Sequence, residues 1–264
     1  LLRKYAAELR ESRKSEKELR KQKVEMLKNV YRILVYSFGK PPKKFKWRYK
    51  DKDQKLSPWK EYTPKSFLTE VVKANIDNYI TLYNCPAKEY YKLYSISLDK
   101  DMVNKPDLTF LNLPIKDLKE LTLNTLTNDK EPVWFGCDVG KELWSKEGIV
   151  APNVYDYQAL FGIDFSMTKK QRILYRHSVP THAMVFTGVD LDTSNRPIKW
   201  LVENSWGQKA GKNGMFIMYD KWFDYYLYEV VIPKKNLSQK LQKLLQKKPI
   251  SLPPWDPMYD FFSH

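Results

Sequence analysis

Thr181-His182-Ala183-Met184 and Glu203-Asn204-Ser205-Trp206-Gly207 are the two stretches whose reading decides the fold. The first opens an apolar run over residues 183–189 that alternates poorly and reads as a buried strand. The second closes a run over residues 198–202, rich in β-branched and aromatic side chains, that reads as another strand. Between them Asp190-Leu191-Asp192-Thr193-Ser194-Asn195-Arg196-Pro197 is a polar turn segment. Paired as an antiparallel hairpin with Val189 facing Ile198, the runs put His182 opposite Ser205, one residue from Asn204. An imidazole and a carboxamide then sit side by side at the open end of a rigid sheet. That is the orienting half of a Cys-His-Asn arrangement, in which the amide fixes the ring and the ring takes a proton from a thiol. Taken singly, a His before a strand is a boundary residue and an Asn before Ser-Trp-Gly is a turn residue. Together, with Gly207, Gly211 and Gly214 following, they favour the chemical reading.

These residues resemble the papain-like cysteine peptidases, whose His precedes a strand and whose Asn lies in an Asn-Ser-Trp-Gly stretch. Three further stretches narrow the resemblance to the aminopeptidase C and bleomycin hydrolase family. They are Glu131-Pro132-Val133-Trp134-Phe135-Gly136-Cys137-Asp138-Val139-Gly140-Lys141, Leu160-Phe161-Gly162-Ile163-Asp164-Phe165-Ser166-Met167 and Leu252-Pro253-Pro254-Trp255-Asp256-Pro257-Met258. The similarity runs from about residue 1 to residue 258. It implies an α+β fold: a papain-like β-rich half-domain in residues 131–233, preceded by a helical insertion subdomain in residues 1–130. A C-terminal helix and an extended arm follow in residues 234–264. The resemblance makes His182 the catalytic base, Asn204 its orienting partner and Trp206 the shield of their hydrogen bond, which low dielectric strengthens. It also implies a cytosolic (cytoplasmic) cysteine aminopeptidase acting on short peptide substrates, assembled as a homohexamer, with no cofactor.

In that family the nucleophile follows a Gln and sits in a Gly-x-Cys-Trp context far upstream of the His. Neither cysteine here has that context. Cys85 lies in Tyr83-Asn84-Cys85-Pro86, and Cys137 lies in a strand-like run where a thiol reads as a small buried hydrophobe. The chain begins at Leu1, without an initiator Met. The nucleophile-bearing N-terminal part is therefore expected to be missing, and the chain alone to be inactive. In the family the arm's terminal carboxylate holds the substrate's free amino group, a place that falls to His264 here. The last residues read Tyr259-Asp260-Phe261-Phe262-Ser263-His264 instead of the usual Gly-Ala-Leu-Ala, so an endopeptidase with an altered arm stands as an alternative.

The net charge of +15 is unevenly spread. Residues 1–60 hold 20 Lys/Arg against 7 Asp/Glu, residues 61–233 hold 20 against 22, and residues 234–248 add six lysines and no acid. A basic patch of this kind suits a non-catalytic scaffold or a nucleic-acid-binding protein of the same fold, with residues 1–60 as the contact. A solvated Lys-rich face is the plainer reading. The three histidines, His177, His182 and His264, and the scattered carboxylates offer no metal-ligand spacing. Two cysteines make no disulfide framework, which suits a reducing compartment. No apolar run approaches the roughly 20 residues that span a bilayer, so no membrane partner is expected.

Punctuation along the chain predicts the remaining elements. Residues 1–10 read as a helix, and Ser15 with Glu18 forms a capping box for a second. The apolar face of that second helix (Leu27, Val30, Tyr31, Leu34, Val35, Phe38) ends at Gly39-Lys40-Pro41-Pro42. Thr63-Pro64 starts a helix to about residue 74, and Pro114 opens another over residues 115–126. Strands are expected at 133–139, 183–189, 198–202, 215–219 and 228–232, with the domain boundary near residue 130. Asn236 is expected to cap a helix over residues 237–247, after which Pro249 begins the extended arm.

Overall fold

The structure is a computed structural model that describes residues 1–100 and 106–258. The chain divides into two compact units, Leu1–Ala74 and Asn75–His264.

In the first unit α1 (Leu2–Glu11) is followed by α2 (Glu16–Phe38). The predicted capping box starts α2: Ser15 N–H donates to Glu18 Oε2 at 3.0 Å. Gly39, at φ +80°, ends it with its N–H on the Val35 carbonyl, a backbone turn open to glycine at little cost. Only Met26 of α2 is buried, while Leu27, Tyr31, Leu34 and Phe38, one stripe by their 3–4 spacing, stay exposed. A small hairpin of β1 (Phe45–Trp47) and β2 (Lys60–Tyr62) follows. Thr63 Oγ1 accepts from Ser66 N–H at 3.1 Å and starts α3 (Pro64–Phe67), which runs on as a π turn over Leu68–Val72. Phe67 packs edge-on against Trp47 and Tyr62, giving this unit an aromatic core of its own.

Among the described residues the second unit is built on one mixed sheet of eleven strands. In chain order these are β3 (Tyr79–Tyr83), β4 (Lys92–Ile96), β5 (Thr109–Asn112), β6 (Val133–Cys137), β7 (Leu143–Trp144), β8 (Ile149–Val150), β9 (His182–Leu191), β10 (Pro197–Glu203), β11 (Met215–Tyr219), β12 (Leu227–Pro233) and β13 (Ile250–Leu252). Across the sheet they run β13-β4-β5-β3-β12-β6-β9-β10-β11-β8-β7. Helices α4 (Ile115–Thr127), α5 (Tyr157–Phe161), α6 (Lys169–Leu174), α7 (Asp220–Tyr226) and α8 (Gln239–Leu244) complete it. Helices segregated from a mixed sheet make the fold α+β, as expected.

The expected boundary near residue 130 needs correction. Residues 75–130 are not a helical subdomain: β3, β4 and β5 lie among them and join the same sheet through β12, which pairs with β3 on one side and β6 on the other. The compact helical unit closes at Ala74 instead. The helix expected from Asn236 starts later, where Ser238 Oγ accepts from Leu241 N–H at 3.3 Å. Asn236 turns its amide to Thr125 and Asp129.

Trp200, Trp222, Phe135, Phe186 and Phe216 are wholly buried in the main core. The polar edges of the two indoles are satisfied: Trp200 Nε1 donates to Asp220 Oδ1 at 3.0 Å, and Trp222 Nε1 to the Lys141 carbonyl at 2.8 Å. Phe135 of β6 stacks on Phe186 of β9 with ring centroids 3.9 Å apart, which helps lock the two strands that bring His182 to its place. No helix among the described residues is long and apolar enough to cross a membrane.

Candidate active site

His182 is the first residue of β9, and Asn204 follows the last residue of β10. Since β9 and β10 are antiparallel neighbours, both residues come to one end of the sheet. The register differs from the simple hairpin. Val189 pairs with Trp200, not with Ile198, and irregularities fall between Pro197 and Lys199 and between Leu201 and Val202. The turn is tighter than the polar segment suggests. Asp192 N–H donates to the Arg196 carbonyl at 2.9 Å, and Asp192 Oδ1 accepts from the N–H groups of Ser194 and Arg196. Asn195 takes the positive φ that such a turn needs, a conformation Asn tolerates.

The two side chains meet: His182 Nε2 lies 2.8 Å from Asn204 Oδ1. Ser205 N–H donates to the same Oδ1 at 2.7 Å, so the atom at that position has to be the carboxamide oxygen. An oxygen can only accept, and Nε2 must therefore carry its hydrogen. Whenever the ring carries a single hydrogen, its lone pair is on Nδ1. Asn204 is 8% exposed, so the bond is largely sheltered from water. Trp206 adds cover, its ring 4.8 Å from the imidazole and inclined by 33°. Phe216, wholly buried, meets the Trp206 ring edge-on at 6.0 Å and supports it from below.

Sequence reasoning missed the Ser205 amide and Phe216. The signal for Ser205 lies in its place directly after the Asn, where a short side chain can fold back on the next N–H. On the other side β6 braces the entry to β9. Thr181 N–H donates to the Cys137 carbonyl at 2.9 Å, and Cys137 pairs with His182 across the two strands.

Neither cysteine is placed as a nucleophile. Cys137 is wholly buried, and burial, with Asp138 and Glu229 nearby, pushes its thiol well up. Cys85 is also buried and its thiol raised by burial. Asn112 clasps the Cys85 backbone on both sides, Oδ1 taking its N–H at 2.7 Å and Nδ2 donating to its carbonyl at 3.0 Å. A thiol that resists ionisation is a poor nucleophile. His264 lies outside the described residues. The arm leading to it is described as far as Met258: β13 pairs in parallel with β4, Lys88 meets Asp256 at 2.7 Å, and Met258 is buried.

Aminopeptidase C of Listeria innocua is 39% identical over 259 residues, 97% of this chain and 58% of the relative. Human bleomycin hydrolase is 39% identical over 240 residues, 88% of this chain and 52% of its own length. The crystal structure of PepW from Lactobacillus rhamnosis HN001, at 42% identity, superposes with a TM-score of 0.89 over 97% of this chain and 59% of that one. The chain thus spans little more than half the length of these relatives. Residues 1–259 match the Peptidase C1-like family as a whole, the helical unit and the sheet alike. A likeness that runs through both units, with few residues left over, means that this chain belongs to the Peptidase C1-like family.

Proposed function

We propose that this chain carries the base and its orienting amide for a cysteine peptidase whose thiol lies in a segment outside these 264 residues. The observation that carries the reading is the shared acceptor: Ser205 N–H and His182 Nε2 both on Asn204 Oδ1, with Nδ1 left free to take a proton. In this reading Nδ1 accepts the proton of the incoming thiol. The thiolate sulfur then bonds to the substrate's carbonyl carbon and its electrons move to the oxygen. As the C–N bond breaks, the imidazolium returns the proton to the leaving amine, and water hydrolyses the thioester that remains. Asn204 holds one tautomer throughout, and Trp206 keeps the Asn–His bond in a low dielectric.

The relatives named aminopeptidase C favour action on the free amino ends of peptides. The chain's β-rich region, residues 131–233, then supplies the base, and the arm of residues 234–264 leads its terminal carboxylate at His264 towards the substrate's amine. The test is to produce the chain alone and joined to the upstream Cys-bearing segment, and to assay aminoacyl-amide hydrolysis. The chain alone should turn over slower by on the order of 10⁶, the loss expected when a nucleophile acting as part of a unit is absent. The joined protein should be active, and His182→Ala should silence it. Thiol-sensitive turnover by the chain alone would overturn the reading and point to Cys137.

A further inference from the structure

Between β8 and β9 the chain leaves the sheet and, together with residues 140–143 and α7, walls a cavity of about 720 Å³. One wall is a row of four rings, Tyr155, Tyr157, Phe161 and Phe165, each 6.2–6.4 Å from the next. Every one of them is more than half exposed. Four consecutive aromatic rings left open along a cavity form a ready apolar platform.

The lining also carries cations. Arg172 of α6 is 8% exposed, with its guanidinium carbon 4.6 Å from the Tyr226 ring centroid and 5.2 Å from that of Tyr225. Its Nε and Nη1 are buried and have no hydrogen-bond partner among the described residues. Buried donors on a charged group are costly to leave unpaired. The acids that line the cavity do not answer them. Glu142 accepts from the Tyr226 hydroxyl at 2.8 Å and from the Asn153 N–H, and Asp156 is taken up by the Ala159 N–H at 2.9 Å. Lys221, which also lines the cavity, lies over Tyr225 at 5.8 Å and makes no ion pair among the described residues. The lining carboxylates are taken up, whereas Arg172 and Lys221 meet aromatic rings but no carboxylate among the described residues.

We propose that this cavity binds a small aromatic carboxylate, its ring on the Tyr157–Phe165 wall and its anion against Arg172 and Lys221. A carboxylate supplies the acceptors that a guanidinium lacks, and a flat ring matches walls that are themselves stacked rings. A bare inorganic anion would leave the aromatic wall open, and a neutral aromatic would leave Arg172 unanswered. The site shares no residue with the His182–Asn204 pair, and its occupancy does not depend on peptidase chemistry.

The test is calorimetric titration of the 264-residue chain with 3-phenylpropionate and, separately, with the neutral isostere 3-phenylpropanamide. The acid should bind and the amide should bind about tenfold more weakly or not at all, the difference a charge-assisted contact makes. Tyr157→Ala, at an exposed ring, should weaken the acid several-fold, and Lys221→Ala should weaken the acid but not the amide. Arg172→Lys, which keeps the charge without the planar group, should also weaken the acid. Its circular-dichroism spectrum tells loss of the site from loss of the fold. Equal affinity for acid and amide would overturn the anion assignment. Failure of both to bind at millimolar concentration, or binding unchanged by Tyr157→Ala and Lys221→Ala together, would overturn the site.

Discussion

Asn204 Oδ1 serves two donors, and that double duty fixes the orientation of the His182 ring. Removing the carboxamide frees the imidazole to rotate and to change tautomer. In the active, joined protein Asn204→Ala should therefore lower kcat by on the order of 10²-fold with little change in KM, because orientation counts mainly in the transition state. Wild-type kcat in that variant would leave Asn204 a turn residue only. A second residue-level effect lies at Gly211. Its φ is +58°, and an added Cβ would sit against the Met215 carbonyl and 3.0 Å from the Phe216 ring that supports Trp206. Gly211→Ala should cost about 1–3 kcal/mol of stability, read by urea melts, through backbone strain and displacement of Phe216. The pairing of His182 with Asn204 was legible because both flank strands with clear apolar runs. Their register was not, because Ile198 is absorbed in an irregularity of β10 and nothing in its side chain announces that. The aromatic support was equally hidden, since Phe216 reads simply as the apolar second residue of a strand.

Among the elements β12 is the hinge of the whole sheet, joining β3 to β6, yet it carries a glutamate in its middle. Glu229 faces Gly136 of β6, where any Cβ would press into the glutamate side chain. Burial, with Asp99 nearby, pushes the Glu229 carboxyl up to about 7, and burial, with Asp107 nearby, pushes Asp99 up to about 6. Both groups hold protons more tightly folded than unfolded, where carboxyls titrate near pH 4. The folded state thus binds more protons across the window from about pH 4 to 7, and this contribution to stability is lost as pH rises through it. Thermal melts of wild type and Glu229→Gln between pH 5 and 8 should diverge, the variant gaining relative stability towards pH 8. A constant difference would mean that Glu229 is freely solvated. The strands β3 to β5 show why the sequence reading put the boundary too late. Tyr79-Ile80-Thr81-Leu82-Tyr83 has the β-branched and aromatic content of a strand. It is, however, too short for periodicity to separate it from a helix end, and the strand that ties it to the rest of the sheet, β12, lies far along the chain, while its other neighbour is β5.

At the scale of the whole molecule, two compact units differ in character: a basic, largely helical one and a sheet that carries His182 and Asn204 at one end. The arm belongs to this scale because it fastens the far end of the chain to the far edge of the sheet, through β13, the Lys88–Asp256 pair and Met258. If the terminal carboxylate receives the substrate's amine, the joined protein should prefer a free-amine peptide over its N-acetyl form. Removing residues 259–264 should erase that preference and admit longer chains. A ratio of the two rates that does not move on truncation would favour endopeptidase action. The effect should be small, about 0–1 kcal/mol, if the pair is solvated, and larger if water is excluded. The same docking of β13 also bears on how the sheet terminates. The two outermost strands are short, with three residues in β13 and two in β7, and β13 is flanked by Pro249, Pro253 and Pro254. Prolines lack the N–H that a further strand would need, and two or three residues offer too few free backbone groups to template one. An eleven-stranded sheet could invite endless edge-to-edge growth; both of its margins end in strands too short to template it well, while the open stripe of α2 offers a broader apolar surface for contact.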